Sequence, residues 1–486
     1  MLDLSVFFYV SSEIIIAISV LLLVLLGSFL NQKINKRVYP AFSIIVLSVC
    51  AFLLWKDFNV TEVIIFNQLF SSSGYVSFSK ILVILSSIAS VLISMGYSGS
   101  DKRLLKFEYY TMLLLSVLGM LVMISSNDLM SLYLGLELMS LSLYALVSFS
   151  RKSIISSEAG LKYFILGALA SCVLLYGSSL IYGFTGTTNF SLIEAMYHKY
   201  SSGTPMPIGV LVGFILIISS ICFKIAAAPF HMWAPDVYQG SPLPVTAFLS
   251  TAPKAASILL LIKLLISNFN IWSDAWRQII SVIACLSLII GALGALFQSD
   301  IKRLIAYSSI SHIGFLLVGL ISYNKYGVEA SLIYLCIYIT MNLGLFSCVA
   351  IIQNQNSENF DLSIFKGLSK TNPIISLCIA VLIFSMAGIP PFAGFLAKFY
   401  IIYGAIRDGL YFISIFAMLT AIVSTFYYLK IIKFMYFDET EIHVPNRLFS
   451  VENVIIASFA TTFNVILILF PMSFHNILHR SITSLF

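Results

Sequence analysis

The chain reads as an all-α integral membrane protein of about fourteen transmembrane helices, with two inverted five-helix repeats that each contain a broken helix. Three observations predict this. Hydrophobic residues fill 59% of the 486 positions and charged residues only 10%, against roughly 25% charged in a soluble domain. The apolar material falls in successive runs of about 18 to 25 residues, the length a helix needs to cross a hydrocarbon layer of roughly 30 Å. Two proline-marked interruptions, at Pro229 and at Pro390-Pro391, lie 162 residues and five helices apart, and an odd count inverts the second copy. Short alternating segments of the barrel type do not occur.

Apolar runs bounded by turn and charge signals place helices at 12–30, 41–55, 78–97, 109–126, 128–149, 158–184, 207–231, 244–266, 278–298, 303–322, 329–352, 373–404, 409–436 and 452–477. The first has no basic segment ahead of it and runs into Asn31-Gln32-Lys33-Ile34-Asn35-Lys36-Arg37 instead of a small-residue cleavage site. It is read as a retained helix, not a signal peptide. Connections are short, and the longest polar link, 353–372, carries an amphipathic stretch at 365–368 expected along the membrane surface. The division that follows is an N-terminal unit 1–108, a first repeat 109–277, an inverted second repeat 278–436 and a C-terminal helix 437–486.

The basic residues test the helix count, because one helix more or fewer would scramble the sidedness of every later loop. With the N-terminus outside, Lys33, Lys36, Arg37, Lys102, Arg103, Lys106, Arg151, Lys152, Lys302, Arg303, Lys366, Lys370, Lys430, Lys433 and Arg447 collect inside. Lys56, Lys80, Lys199, Arg277, Lys325, Arg407 and Arg480 fall outside. Fifteen against seven is a positive-inside asymmetry that puts both termini outside. The formal charge of +6 therefore reflects membrane sidedness and not a nucleic-acid partner. Cys50, Cys172, Cys222, Cys285, Cys336, Cys348 and Cys378 stand singly in apolar runs and read as small buried hydrophobes, with neither disulfide nor metal implied.

Five lysines are left inside predicted helices: Lys162, Lys224, Lys254, Lys263 and Lys398. A charge at the bilayer centre costs on the order of 2.5 to 3.5 kcal/mol by insertion scales, so such residues face polar interiors and act there. Glu137, nine residues past Asp128, lies near the midplane, and Lys254, ten past Pro244, reaches a similar depth. Lys263, near the outer end of its helix, is expected to snorkel to the interface. Lys162, near the inner end of its own, either does the same while pairing with Glu158 one turn earlier or belongs to the buried file.

Lys224 and Lys398 each adjoin a break, Ala228-Pro229-Phe230 and Gly388-Ile389-Pro390-Pro391-Phe392-Ala393-Gly394. Proline removes a backbone donor, and broken helices are tolerated in hydrocarbon where they line a cavity. A buried lysine whose carboxylate partner can move is a suitable proton carrier; the alternative is a static ion pair holding helices together. After the first break, His231-Met232-Trp233-Ala234-Pro235-Asp236 is a polar joint at the inner face that could equally be an ordinary capped loop. His312 reads either as a core histidine satisfied by a serine or as a relay titrating near neutrality. Nucleotide-binding glycine motifs and metal-ligand spacings are absent from the sequence.

Four strings together resemble a known family. They are Leu134-Gly135-Leu136-Glu137-Leu138; Phe223-Lys224 through Ala228-Pro229-Phe230-His231-Met232-Trp233-Ala234-Pro235-Asp236-Val237-Tyr238-Gln239-Gly240; Asp300-Ile301-Lys302-Arg303-Leu304 with Tyr307 to His312; and Ala387-Gly388-Ile389-Pro390 through Lys398-Phe399-Tyr400. They are similar to the antiporter-like membrane subunits of respiratory complex I, the proton-translocating NADH:quinone oxidoreductase. The resemblance implies that Glu137 modulates Lys224, that Lys254 is the central connecting lysine, and that Lys398 exchanges its proton through an outer half-channel. Lys162 and His312 resemble further positions on the polar axis, and Pro253 departs from the pattern. It also implies a multi-pass protein of the bacterial inner membrane whose partners are the lipid bilayer, an antiporter-like M subunit and a small K subunit. The chain would bind no cofactor, with NADH, FMN, iron–sulfur clusters and quinone handled by other subunits. A subunit of an Mrp-type Na⁺/H⁺ antiporter shares the fold and is the rival reading. A structural scaffold and a solute carrier are the other classes left open.

Overall fold

The computed structural model describes residues 4–29, 37–59, 62–97, 106–201, 207–353, 360–439, 450–483 and 485. Lys33, Lys36, Lys102, Arg103 and Arg447 of the sidedness argument lie outside them. In chain order the helices are α1 (Leu4–Tyr9), α2 (Ser11–Phe29), α3 (Val38–Lys56), α4 (Gly74–Gly96), α5 (Phe107–Ser125), α6 (Leu129–Val147), α7 (Ile154–Thr185), α8 (Phe190–Ser201), α9 (Ile208–Ile225) and α10 (Trp233–Gly240). They continue as α11 (Leu243–Lys263), α12 (Ser273–Leu296), α13 (Ile301–Ile321), α14 (Lys325–Ile352), α15 (Leu368–Thr371), α16 (Pro373–Ala387), α17 (Ala393–Arg407), α18 (Tyr411–Tyr436), α19 (Val451–Leu469) and α20 (Pro471–Ile482). Among the described residues 13 helices are long and apolar enough to cross a membrane. The stretch expected as one helix at 373–404 is the pair of 15-residue helices α16 and α17.

Both expected breaks occur. α9 stops at Ile225, where Ala226 turns left-handed (φ 59°), and α16 stops at Gly388 (φ 83°). The peptide bonds Ala228-Pro229 and Pro390-Pro391 are both cis. Three helices form the centre. The apolar window of α11 with its π-turn is 100% buried, that of α13 94% and that of α14 83%, whereas α2, α3 and α19 bury 33% of theirs and turn the rest outward. In lipid no hydrophobic force holds helices together, so small residues allow close backbone approach. A Cβ on Gly119 of α5 would come within 2.4 Å of the Met139 backbone nitrogen on α6, and one on Gly291 of α12 within 2.4 Å of that of Ser311 on α13.

Several elements differ from expectation. A two-stranded antiparallel hairpin, β1 (Val63–Ile65) with β2 (Phe70–Ser72), and the short α8 were hidden in links of mixed polarity. The last helix ends at Leu469, and Pro471 starts the separate α20, because proline is favoured at a first helical turn and cannot continue a preceding one. The segment at 365–368 buries one face against the bundle and leaves the other exposed: Leu362, Phe365 and Leu368 are buried, Ser363 and Lys366 are exposed, and the Gly367 N–H donates to the Phe434 carbonyl at 3.0 Å. All seven cysteines are free, but Cys172 is exposed and Cys285 and Cys378 are half-buried.

Lys80, expected on the outer side at the start of the helix 78–97, is buried on α4 and pairs with Glu13 of α2 at 2.6 Å. Glu13 also accepts from Ser12 at 2.7 Å and from Ser125 of α5 at 3.3 Å, which makes this pair the tie between three helices. Removing one partner of a buried pair strands the other charge, at about 3–5 kcal/mol, whereas replacing both by apolar residues is often neutral. Glu13→Ala should therefore lower the thermal unfolding temperature in detergent markedly, and the double variant Glu13→Ala/Lys80→Leu should recover most of the loss.

Candidate functional site

Glu137 sits near the middle of α6, half-buried, and accepts a hydrogen bond from Ser171 of α7. One turn later on the same helix, Ser140 accepts from the Lys224 ammonium at 2.8 Å, and Tyr144 does so at 3.3 Å. Among the described residues no ion pair joins Glu137 directly to Lys224; the carboxylate acts on the ammonium electrostatically. Lys224 lies in the last turn of α9. Side chains satisfy the backbone groups freed at the break: the Trp233 indole donates to the Phe223 carbonyl at 2.9 Å, and Ser287 accepts from the Ala228 N–H at 2.8 Å. This is the condition for irregular backbone at membrane depth.

Lys254 is fully buried on α11, donates to Ser309 of α13 at 2.6 Å and lies 5.0 Å from the Tyr238 ring centroid. Pro253 leaves α11 unbroken from Leu243 to Lys263. His312 stands one turn beyond Ser309 on α13. Its Nδ1 lies 2.6 Å from the Tyr334 hydroxyl and its Nε2 3.0 Å from that of Tyr428, which in turn is 2.5 Å from Ser308. Two tyrosines thus satisfy the imidazole, not the serine expected, and both Lys254 and Lys398 lie within electrostatic reach of it. One turn further again, Phe315 presents its ring 5.2 Å from the Lys398 ammonium. Lys398 donates to the carbonyls of Met386 and Ala387 at 3.1 and 2.9 Å, so it caps the negative end of α16. Beside it, Ser385 accepts from the Gly394 N–H at 2.9 Å and donates to Asn464 of α19 at 2.8 Å, closing the second break.

The structure separates the two remaining lysines from this file. Lys263 does not snorkel; it is buried and gives its three hydrogens to Ser71, the Ile124 carbonyl and the Ser126 carbonyl at 2.9, 3.0 and 2.8 Å. The hairpin and the end of α5 enclose it there, which the end-of-helix position alone could not reveal. Lys162 lies at the rim with 43% of its side chain exposed, bound to Glu158 at 2.8 Å as one expectation had it, and also to Asp236 at 2.8 Å. Asp236 uses its other oxygen for Arg303 at 2.8 Å. Partial burial pushes the Asp236 carboxyl up, and the Lys162 ammonium and Arg303 guanidinium more than reverse this, holding it below the usual carboxylate range.

Sequence reasoning missed the tyrosines. Tyr144, Tyr334 and Tyr428 look like ordinary membrane aromatics; only their spacing to Lys224 and His312 across other helices makes them partners. The charge of Lys80 within a mostly apolar run was the signal available for the Glu13 pair.

The fold and the row of buried ammonium groups on α9, α11 and α17 define a polytopic, antiporter-like ion-translocating membrane protein. Residues 126–424 match the family described as NADH:quinone oxidoreductase/Mrp antiporter, transmembrane. NADH-quinone oxidoreductase subunit N of Paramagnetospirillum magneticum is 43% identical over 88% of this chain and 87% of its own, and that of Rhodobacter capsulatus is 41% identical over 91% of each. A chain of respiratory complex I from Thermus thermophilus superposes with a TM-score of 0.79 at 28% identity, covering 95% of this chain and 97% of that one. A chain of the Mrp complex from Dietzia, at 21% identity and a TM-score of 0.84 over 98% and 97%, shares the fold. The chain belongs to the subunit N family of NADH-quinone oxidoreductase and is a proton-translocating membrane subunit of that complex.

Two outcomes test this geometry. A Cβ at Gly388 would meet the Lys398 Cδ at 2.8 Å on a backbone of φ 83°; Gly388→Val should cut NADH-driven proton uptake by roughly tenfold or more while NADH oxidation by the peripheral redox chain is still measurable. Because the folded-state Asp236 carboxyl titrates below its unfolded value, its contribution is present at neutral pH and is lost as pH falls below about 3.9. Protection of the amides at 233–240, measured relative to their intrinsic exchange rates, should fall in that acid range, and Asp236→Asn should show the lower protection already at neutral pH.

Proposed function

We propose that this chain moves protons across the bacterial inner membrane by alternating protonation of Lys224, Lys254 and Lys398, with Glu137 setting the charge state of Lys224. The observation that carries the reading is the face of α13: Ser309, His312 and Phe315, one turn apart, meet Lys254, the Tyr334–Tyr428 pair and Lys398 in succession. A single helix thus spaces the central lysine, an imidazole and the terminal lysine. Imidazole bound on both nitrogens by hydroxyls can accept a proton on one side and release one on the other. Protonated His312 would face two ammonium groups, so it carries a proton only while a neighbouring lysine is neutral.

The two breaks support a division into an N-terminal unit 1–108, a first repeat 109–277, an inverted repeat 278–436 and a C-terminal part 437–486. In this arrangement Lys224 loads from the inner side and Lys398 unloads to the outer side, where both termini lie. The driving energy arrives from electron transfer in subunits that hold NADH, FMN, iron–sulfur clusters and quinone, and no redox group resides here. The flanking partners are the antiporter-like M subunit and the small K subunit, and the resemblance to the Mrp fold reflects shared architecture.

In membranes containing the assembled complex, Glu137→Ala, Lys224→Ala and Lys398→Ala should each lower NADH-driven proton uptake by roughly tenfold or more. Wild-type uptake in Lys224→Ala at normal assembly would sink the scheme.

A further inference from the structure

We propose that Asp236 is a positioning residue for the proton step between Lys224 and Lys254, holding the aromatic wall that stands between them; this rests on the role given above to those lysines. The wall is continuous. Tyr144, whose hydroxyl meets Lys224, packs edge-on to Tyr163 of α7 with ring centroids 4.7 Å apart. Tyr163 stacks on Trp233 at 4.5 Å and 20°, Trp233 meets Tyr238 at 6.5 Å, and Tyr238 lies under the Lys254 ammonium. The Tyr238 hydroxyl is buried beside the side chain of Ser309, the residue that accepts from the Lys254 ammonium, so the wall reaches the central lysine.

Asp236 controls where this wall stands because of its place in α10. It lies one turn after Trp233 and two residues before Tyr238. Its two carboxylate oxygens hold α7, through Lys162, and α13, through Arg303. Lys162 is the residue next to Tyr163, so one ion pair sets the relative position of both stacked rings. Arg303 is fixed further by Gln298 at 3.1 Å and Gln239 at 3.0 Å, and its neighbour Lys302 donates to the Gln239 and Ser241 carbonyls at 3.2 and 2.8 Å. The far end of α10 is thereby tied to α13, the helix that carries Ser309 and His312.

An isolated surface ion pair contributes only about 0–1 kcal/mol. Here the helices that carry the charges are in close contact. A Cβ on Gly240 would stand 2.5 Å from the Ala159 Cβ and 2.7 Å from the Ile155 carbonyl, and one on Gly167 would overlap the Tyr144 hydroxyl at 1.9 Å. With α6, α7 and α10 in such contact, a shift of α10 carries the rings with it. A displacement of about an ångström is enough to cost a proton transfer a large factor in rate.

The test uses membranes holding the whole complex, with Asp236→Asn, which keeps the shape and removes the charge, and Arg303→Gln, which opens the same clamp from α13. Both should assemble, lower NADH-driven proton uptake by roughly threefold or more and move its pH profile, while Asp236→Glu should restore much of the loss. A merely structural tie would lower the amount of complex without moving the pH profile. Wild-type uptake and pH profile in both assembled variants would overturn the proposal. Lys224→Ala in the same series separates the two readings. If it is inactive while Asp236→Asn is normal, only the positioning role fails; if it pumps normally, the Lys224 scheme fails.

Discussion

An ammonium group can remain inside a hydrocarbon layer only where protein oxygens replace the water around it, and the arrangement of this chain follows from that requirement. Lys254 has a serine, Lys224 a serine and a tyrosine, Lys398 two carbonyls at a helix end, and Lys263 a serine with two carbonyls. Apart from the Lys398 carbonyls, which come from the end of the preceding helix α16, each set comes from elements distant in sequence. The central helices must therefore be surrounded by protein, which is why α11, α13 and α14 are the most buried.

The broken helices answer the same requirement from the side of the backbone. A chain break at membrane depth frees carbonyls and N–H groups, and each one left bare costs several kcal/mol. At the second break a lysine takes up the freed carbonyls itself, whereas at the first an indole binds a carbonyl and a serine accepts from an N–H, which leaves Lys224 to bind hydroxyl groups. Lys398 is thus held by the strong field of a helix end and Lys224 by weaker neutral partners. The two lysines are related by their position beside a break but differ in how firmly the protein grips the proton-bearing nitrogen.

Charge is handled differently with depth. Glu13 and Lys80, both buried, form a direct pair that ties helices together, as a low-dielectric interior demands. Glu137 and Lys224 form no direct ion pair among the described residues: the carboxylate is bound by Ser171 and the ammonium by Ser140 and Tyr144. Asp236, part-exposed, gathers two cations from two helices. A direct ion pair, a separated carboxylate and ammonium, and a carboxylate shared by two cations thus occur in one chain.

The sequence determined the membrane class, the helix count, both breaks and the membership of Glu137, Lys224, Lys254, Lys398 and His312 in helices, because run length, proline and charge in an apolar context are local signals. Depth along a helix was legible to within a turn, since each residue adds a fixed rise. Which side of the helix a residue faces, and what waits there, was not. Lys263 and Lys162 stand near opposite helix ends and look alike in sequence, yet one is enclosed by a hairpin and the end of α5 while the other lies at the rim. The partners of His312 come from α14 and α18, and those of Glu13 from α4 and α5. Such pairings depend on how helices far apart in sequence rotate and pack against one another, and only the tertiary structure decided them.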